Sequence, residues 1–435
     1  MKFTRRQVII LLAGVVLVAG LLFLFYYVTR KPSVGPVVTL SVWGVDDATA
    51  VGDLGAAYTA YRPNVTVTYT QVDPAQYETK LLKAFAAGTG PDVFEVLNRS
   101  LGRWKSALAP LPTSSTQFSV DLMNQEFPGV AADDFTSAGR IYAVPLSIDT
   151  LAMFYNKDYF DSAGIALPPT TWDDFDAVIP KLRQLDAQGR VVRAAVALGG
   201  TRANMANAND LVALMMLQNG TQMVSDDRTY ATFANGNSGQ AAVNFYLQFS
   251  NAGSPYYTWN SAMGDALQSF AQGNTAIYFG YHADLAAIQA KAPFLNVGVA
   301  PIPQPSGSTV NVNYPKYYGL AASKTGQTAY AWDFILYSTI YPAGENLYLK
   351  DTSAPAAQRQ AIQTQETPSP SKATDVTLPV FAGQALSAKS WYEPDDEQAD
   401  AAFDTMLQNI LNGAQDVPTA LRSAEDAVTA TMGNK

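Results

Sequence analysis

Between Val38 and Leu97 the chain alternates strand-like and helix-like stretches, and no other feature narrows the possible folds as much. Val38-Thr39-Leu40-Ser41-Val42-Trp43 alternates apolar with polar residues, the period of a half-buried strand. Val51, Leu54, Tyr58 and Tyr61 then recur at helical spacing until Pro63-Asn64 breaks the pattern. Val65, Val67 and Tyr69 alternate again as a second strand. Tyr77, Leu81, Leu82 and Phe85 predict a second helix, closed by Gly88-Thr89-Gly90-Pro91, and Asp92 to Leu97 predicts a third strand. Strand, helix, strand, helix, strand is the order of a parallel sheet in an α/β domain. Open sheets of this kind bind ligands beyond the carboxyl ends of their strands. Trp43, Asp46 and Asp47 after the first strand, and Asn98 and Arg99 after the third, are therefore candidate ligand contacts. Trp43 reads equally well as core, and one of the two aspartates reads as a helix cap.

A chain of 435 residues exceeds one ordinary core and suits two lobes. Hydrophobic residues at 48% with 11% aromatics exclude wholesale disorder. The 28 basic and 37 acidic residues give a formal charge of −9 with no basic stripe, so nucleic acid is not an expected partner. The absence of cysteine excludes thiol catalysis, thiolate zinc sites, disulfides and a lipid-bearing cysteine. His282 is the single histidine, which excludes a multi-histidine metal centre and leaves one residue to serve any Ser-His-Asp triad. No catalytic residue, metal or cofactor is assigned.

Val8 to Val28 carries no charge and would span about 30 Å as a helix, enough for the hydrocarbon core. Lys2, Arg5 and Arg6 precede it and favour a cytoplasmic amino terminus. A cleaved signal peptide is the competing reading, but its apolar region is ~7–15 residues and ends at a small-x-small site. Ser33-Val34-Gly35 fits that site poorly. The expectation is a single-pass anchor in the cytoplasmic membrane, with the rest of the chain outside.

Further on, Arg140 to Phe154 is nearly uncharged and rich in β-branched and aromatic residues, which predicts extended chain. A short helix from Asp158 would stop at Gly164, and Thr171 with Asp173 and Asp174 forms a capping signature for another. Gly139-Arg140-Ile141-Tyr142, Pro145-Leu146-Ser147, Tyr155-Asn156-Lys157 and Pro169-Thr170-Thr171-Trp172 follow one another at characteristic spacing. This stretch resembles the crossover segment of the family 1 extracellular solute-binding proteins. Those are the sugar-binding receptors of ABC importers, with maltose-binding protein as the type. Tyr77 to Val96 and Phe270 to Tyr278 are similar to further segments of that family, and the likeness extends loosely from residue 38 to 435.

The resemblance implies an α/β fold, the type II-like two-lobe periplasmic-binding-protein architecture, preceded here by the transmembrane helix. The expected division is a cytoplasmic stub at 1–7, the anchor at 8–28 and a linker at 29–37. Residues 38–148 and 300–338 would form the first lobe, and 149–299 and 339–435 the second. Crossings near Ser147–Thr150, Ala300–Pro303 and Thr339–Pro342 would form the hinge. Asp149 matches a sugar-binding carboxylate of the family, with a hinge hydrogen-bond partner as the alternative. Tyr281 and His282 occupy a turn where the family places a stacking tryptophan. Tyr317 and Tyr318 would face the cleft, while Trp259 and Trp391 would be rim contacts or packing. Tyr155 and Trp172 are scaffold, and Asp133-Asp134 and Asp395-Asp396 read as solvated surface.

The implied activity is that of a monomeric, membrane-tethered receptor. It would close on a carbohydrate or related small solute and present it to ABC permease subunits. Two alternatives stand beside it: a glycoside hydrolase using Asp46 or Asp47 with Asp149 as its carboxylate pair, and a surface adhesin without a transported ligand.

Overall fold

Val38, Leu40 and Val42 are buried and alternate with Thr39 and Ser41, so the strand Val38–Gly44 presents one apolar face to a core. It pairs in parallel with Val65–Gln71 on one side and Val93–Leu97 on the other. Val93–Leu97 is buried at every position, as expected of a central strand covered on both faces. The helices between them start where the sequence signals: Asp47 accepts from the amides of Thr49 and Ala50, and Asp73 caps a helix with Pro74 in its first turn. The structure, a computed structural model, describes residues 36–367 and 377–432.

Two five-stranded sheets organise those residues. The first sheet is completed by Tyr318–Ala322, antiparallel to Val93–Leu97, and by Val144–Pro145 at its edge. In the second, Ala152–Asn156 runs antiparallel to both Thr275–Gly280 and Val297–Ala300. Val191–Val196 pairs in parallel with Thr275–Gly280, and Gln184–Leu185 closes the far edge. Each sheet has its own core: Leu40, Phe94, Phe334 and Ile335 belong to one, Phe154, Phe175, Trp259 and Phe279 to the other.

Among the described residues the backbone passes between the two bodies three times. The first passage runs from Val144–Pro145 through Asp149–Thr150 into Ala152–Asn156. The second is displaced from Ala300–Pro303. Ile302, Val312 and Tyr314 still pack in the second core, and the chain returns only at Pro315–Lys316, which pairs with Asp149–Thr150. The third is displaced further. Thr339–Pro342 is a turn between helices Thr328–Thr339 and Pro342–Thr352, whose Phe334 and Tyr348 share the first core. The crossing lies instead at the helix Leu378–Ala385, where Phe381 packs in the second core and Ala382 and Ala385 in the first. Residues 301–314 therefore go with the second lobe and 342–366 with the first. After Pro342–Thr352, Arg359–Glu366 forms a further helix, anchored by the buried Ile362.

Gln384, in the third passage, is bonded both to the first passage and to the second-lobe segment at Ile302. Its amide donates to Thr150 Oγ1 (3.2 Å) and Leu151 O (3.0 Å), and its carbonyl accepts from Ile302 N (2.9 Å). Replacing Gln384 by alanine leaves buried polar groups unpaired, and a loss of about 1–3 kcal/mol in a urea titration is expected.

The apolar run Val8–Val28 lies outside the described residues. Among those described, no helix is long and apolar enough to cross a membrane.

Candidate functional site

The parallel order of the first three strands brings their carboxyl ends to one edge, and antiparallel Tyr318–Ala322 brings its start to the same edge. In the second sheet, the ends of Val191–Val196 and Thr275–Gly280 lie beside the start of Ala152–Asn156. The crossings join these two edges, so residues just beyond them share the gap between the lobes.

On the first lobe, Trp43 is half-buried and its carbonyl accepts from Tyr77 Oη at 3.1 Å. Asp47 is the exposed helix cap, the plainer of its two readings. Asp46 accepts a 2.7 Å bond from Tyr348 Oη, and its carbonyl accepts from Tyr69 Oη at 2.9 Å. Beneath it lies Glu95, buried in the central strand and bonded to Val45 N at 2.8 Å. Burial raises the pKa of both carboxyls, Glu95 well above the usual range; the Asp46 charge adds to the rise at Glu95, and Asp47 adds to that at Asp46. A Cβ on Gly44 would stand 1.9 Å from Glu95 Oε1, so only glycine permits that approach. The signal for Glu95 was present as a lone acid inside VFEVL, an otherwise apolar strand.

Arg99 reaches across to the second lobe. Its guanidinium makes a paired bond to Asp400, at 3.1 and 2.9 Å, and stands 3.5 Å from Asp210 and 3.7 Å from Glu393. Desolvation opposes the charge, but the three carboxylates prevail and hold Arg99 firmly protonated. Glu393 moves well above the carboxylate range because burial outweighs the attraction of Arg99. Tyr281 joins this cluster by donating to Asp210 Oδ2 at 2.9 Å, and Lys316 lies 3.9 Å from the same oxygen. Sequence reasoning missed Asp210, Glu393 and Asp400: Asp210 sits in a first helical turn, where an acid reads as a dipole partner, and Glu393 and Asp400 fall before and within the acid-rich helix Asp396–Leu411.

A second network links Asn98, Tyr317, Asp134 and Ser390. Asp134 accepts from Asn98 Nδ2 (3.0 Å), Tyr317 Oη (2.7 Å) and Ser390 Oγ. Burial lifts its carboxyl to about 7 against those donors. Asp134 is thus not solvated surface. Asp396 is not either, being buried and accepting from Ser100 Oγ at 2.6 Å, while Asp395 caps its helix. The partners of Asp134 and Asp396 come from distant segments, which no local pattern reveals.

The two carboxylate oxygens of Asp149 accept from His282 N (2.9 Å) and Ala283 N (3.1 Å), pinning the turn after Thr275–Gly280 to the crossing strand. Burial lifts its carboxyl to about 7. The His282 ring packs edge-on against Phe381 at 5.2 Å. Tyr318 packs edge-on against Tyr77 at 6.4 Å. Trp259 is fully buried in the second core, so it serves packing and not the rim. The scaffold residue Trp172 is also buried and donates to Gln218 Oε1 at 2.7 Å.

Of the proposed contacts, Asn98, Arg99 and Trp391 line one cavity of about 230 Å³ between the lobes, together with Lys105, Arg228 and Glu393. Trp43, Asp46 and Asp47 sit in a separate cluster. Among the described residues no group of acids and histidine is placed to hold a metal ion. Asp46, Asp47 and Asp149 are each committed to a different structural bond, so no two of them present a free acid–base pair.

Residues 44–339 match the family described as bacterial extracellular solute-binding protein. A binding protein of Brucella abortus is 27% identical over 259 residues, 58% of this chain and 59% of that relative, so the chain spans little more than half of the relative's length. UgpB from Mycobacterium tuberculosis, in complex with glycerophosphocholine, has a similar structure: TM-score 0.73 at 20% identity, over 92% of this chain and 98% of that one. A cyclic α-maltosyl-1,6-maltose binding protein from Arthrobacter globiformis gives a TM-score of 0.72 at 21% identity, over 92% and 100%. These likenesses establish the two-lobe α/β architecture.

Proposed function

We propose, because the chain belongs to the bacterial extracellular solute-binding protein family, that it is a receptor which closes its lobes on a carbohydrate and delivers it to an ABC importer. The observation that carries this is the cavity of about 230 Å³ where Asn98 and Arg99 of one lobe meet Trp391 and Glu393 of the other. Carboxylates and amides accept and donate to hydroxyls, and a tryptophan offers a flat apolar face to ring C–H groups. The volume falls below the ~300–1,000 Å³ typical of larger ligands, which favours a mono- or disaccharide. Contacts from both lobes make binding and closure a single equilibrium. The run Val8–Val28 would tether the receptor to the outer face of the cytoplasmic membrane.

A second reading is an anionic polyol, such as a glycerophosphodiester, favoured by Lys105 and Arg228 on the same cavity wall. Thermal unfolding with panels of neutral sugars and glycerophosphodiesters separates the two. A cognate solute at a hundred times its Kd adds about 2.7 kcal/mol of stability. Lys105→Ala should leave the effect of a neutral sugar intact and remove most of the effect of an anion. A complete absence of response across both panels would sink the receptor reading.

A further inference from the structure

We infer that the outer face of the first lobe carries a second binding site, for a small organic cation bearing an ammonium group. A cavity of about 400 Å³ opens there, bounded by the helices Val120–Glu126, Pro342–Thr352 and Arg359–Glu366. It is larger than the interlobe cavity, about 230 Å³. Phe118, Leu122 and Ile340 form apolar walls, while Gln360, Glu126 and Glu345 supply oxygen acceptors. No lysine or arginine lines it.

Glu345 is the informative residue. It is only 8% exposed, yet its Oε1 has no hydrogen-bond partner among the described residues. An acceptor left so is costly, and native proteins keep few of them. One water would satisfy that oxygen, but the cavity is many times the ~30 Å³ share of a single water. An ammonium group fits better. It brings several N–H donors for Glu345, Glu126 and the glutamine carbonyl, cancels the negative charge, and lays a short aliphatic body against Phe118 and Leu122. Burial lifts the Glu345 carboxyl to about 7, against a hydrogen bond from the Gln358 backbone and with Glu126 adding to the rise. A bound cation would lower it again.

The test is calorimetric titration of the full chain with 1,4-diaminobutane and n-butylammonium at mildly alkaline pH, with tetramethylammonium as the control lacking N–H donors. Saturable binding of the two amines and none of the control is expected. Glu345→Gln keeps the shape but removes the charge, and should weaken amine binding by about tenfold or more. Leu122→Trp, which fills the cavity from its apolar wall, should abolish it. Binding of all three cations alike, equal affinity in Glu345→Gln, or no saturable binding of either amine would overturn the assignment. Circular dichroism of both variants guards against loss of fold.

Discussion

Arg99→Ala is expected to lower the stability of the protein by about 3–5 kcal/mol, the cost of removing one partner from a buried ionic cluster. The Arg99 side chain is 12% exposed, and the carboxylates of Asp210, Glu393 and Asp400 around it are 5%, 1% and 13% exposed. Without the guanidinium, three acids crowd one desolvated space. Arg202 at 3.4 Å from Asp400 and Lys316 at 3.9 Å from Asp210 relieve part of that repulsion, and both are more exposed than Arg99. Arg99→Met should cost about as much, since the loss comes from stranded charge and not from lost volume. Arg99→Lys should recover part of it, as a point charge cannot reproduce the paired bond to Asp400. Because the stranded acids can take up protons, the penalty should shrink as pH falls. Urea denaturation of the three variants at two pH values measures this, and a loss below about 1 kcal/mol for Arg99→Ala would show that the cluster adds nothing to stability.

Stability is expected to fall between mildly acidic and mildly alkaline pH. Burial lifts Glu345 and Glu78 from 4.5 to about 7, and Asp134 and Asp149 from 3.8 to about 7. The folded state therefore keeps protons that the unfolded chain has released across that interval. Their contribution is complete below the unfolded values and is lost as pH rises through the folded ones. Each unit is worth about 1.4 kcal/mol at a buried group, so even a fraction of the four shifts amounts to several kcal/mol. Asp186, Asp227 and Asp416 shift the other way, but they are fully exposed and hydrogen-bonded only locally. The melting temperature should thus be higher near pH 5 than near pH 8, against the usual acid destabilisation. Glu78→Gln should flatten the profile. A melting temperature that is level or climbs over the same interval would mean that these carboxyls stay ionised in the folded protein.

Where the signals are local, structure follows the reading of the sequence closely. The caps at Asp47, Asp73 and Thr171 each bond amides two or three residues ahead. Gly164 stops its helix with a positive φ of 69°. The alternation of Val38, Leu40 and Val42 sets which face is buried. In the site the same locality misleads. Asp134 stands beside a second acid, Asp133, but bonds to Ser390, 256 positions away, and Arg99 meets Asp400 across 301 positions. Asp149 bonds a turn 133 residues on, so its residue type could not distinguish a ligand contact from a hinge fastener.

From its amino acids alone the chain determined the strands and helices between Val38 and Leu97 and their order, because periodicity and capping act within a few residues. Only the tertiary structure decided where the backbone changes lobe and which charges share the gap. A strand or an acid looks the same in sequence whichever core receives it. Its environment is set by packing against segments hundreds of residues away.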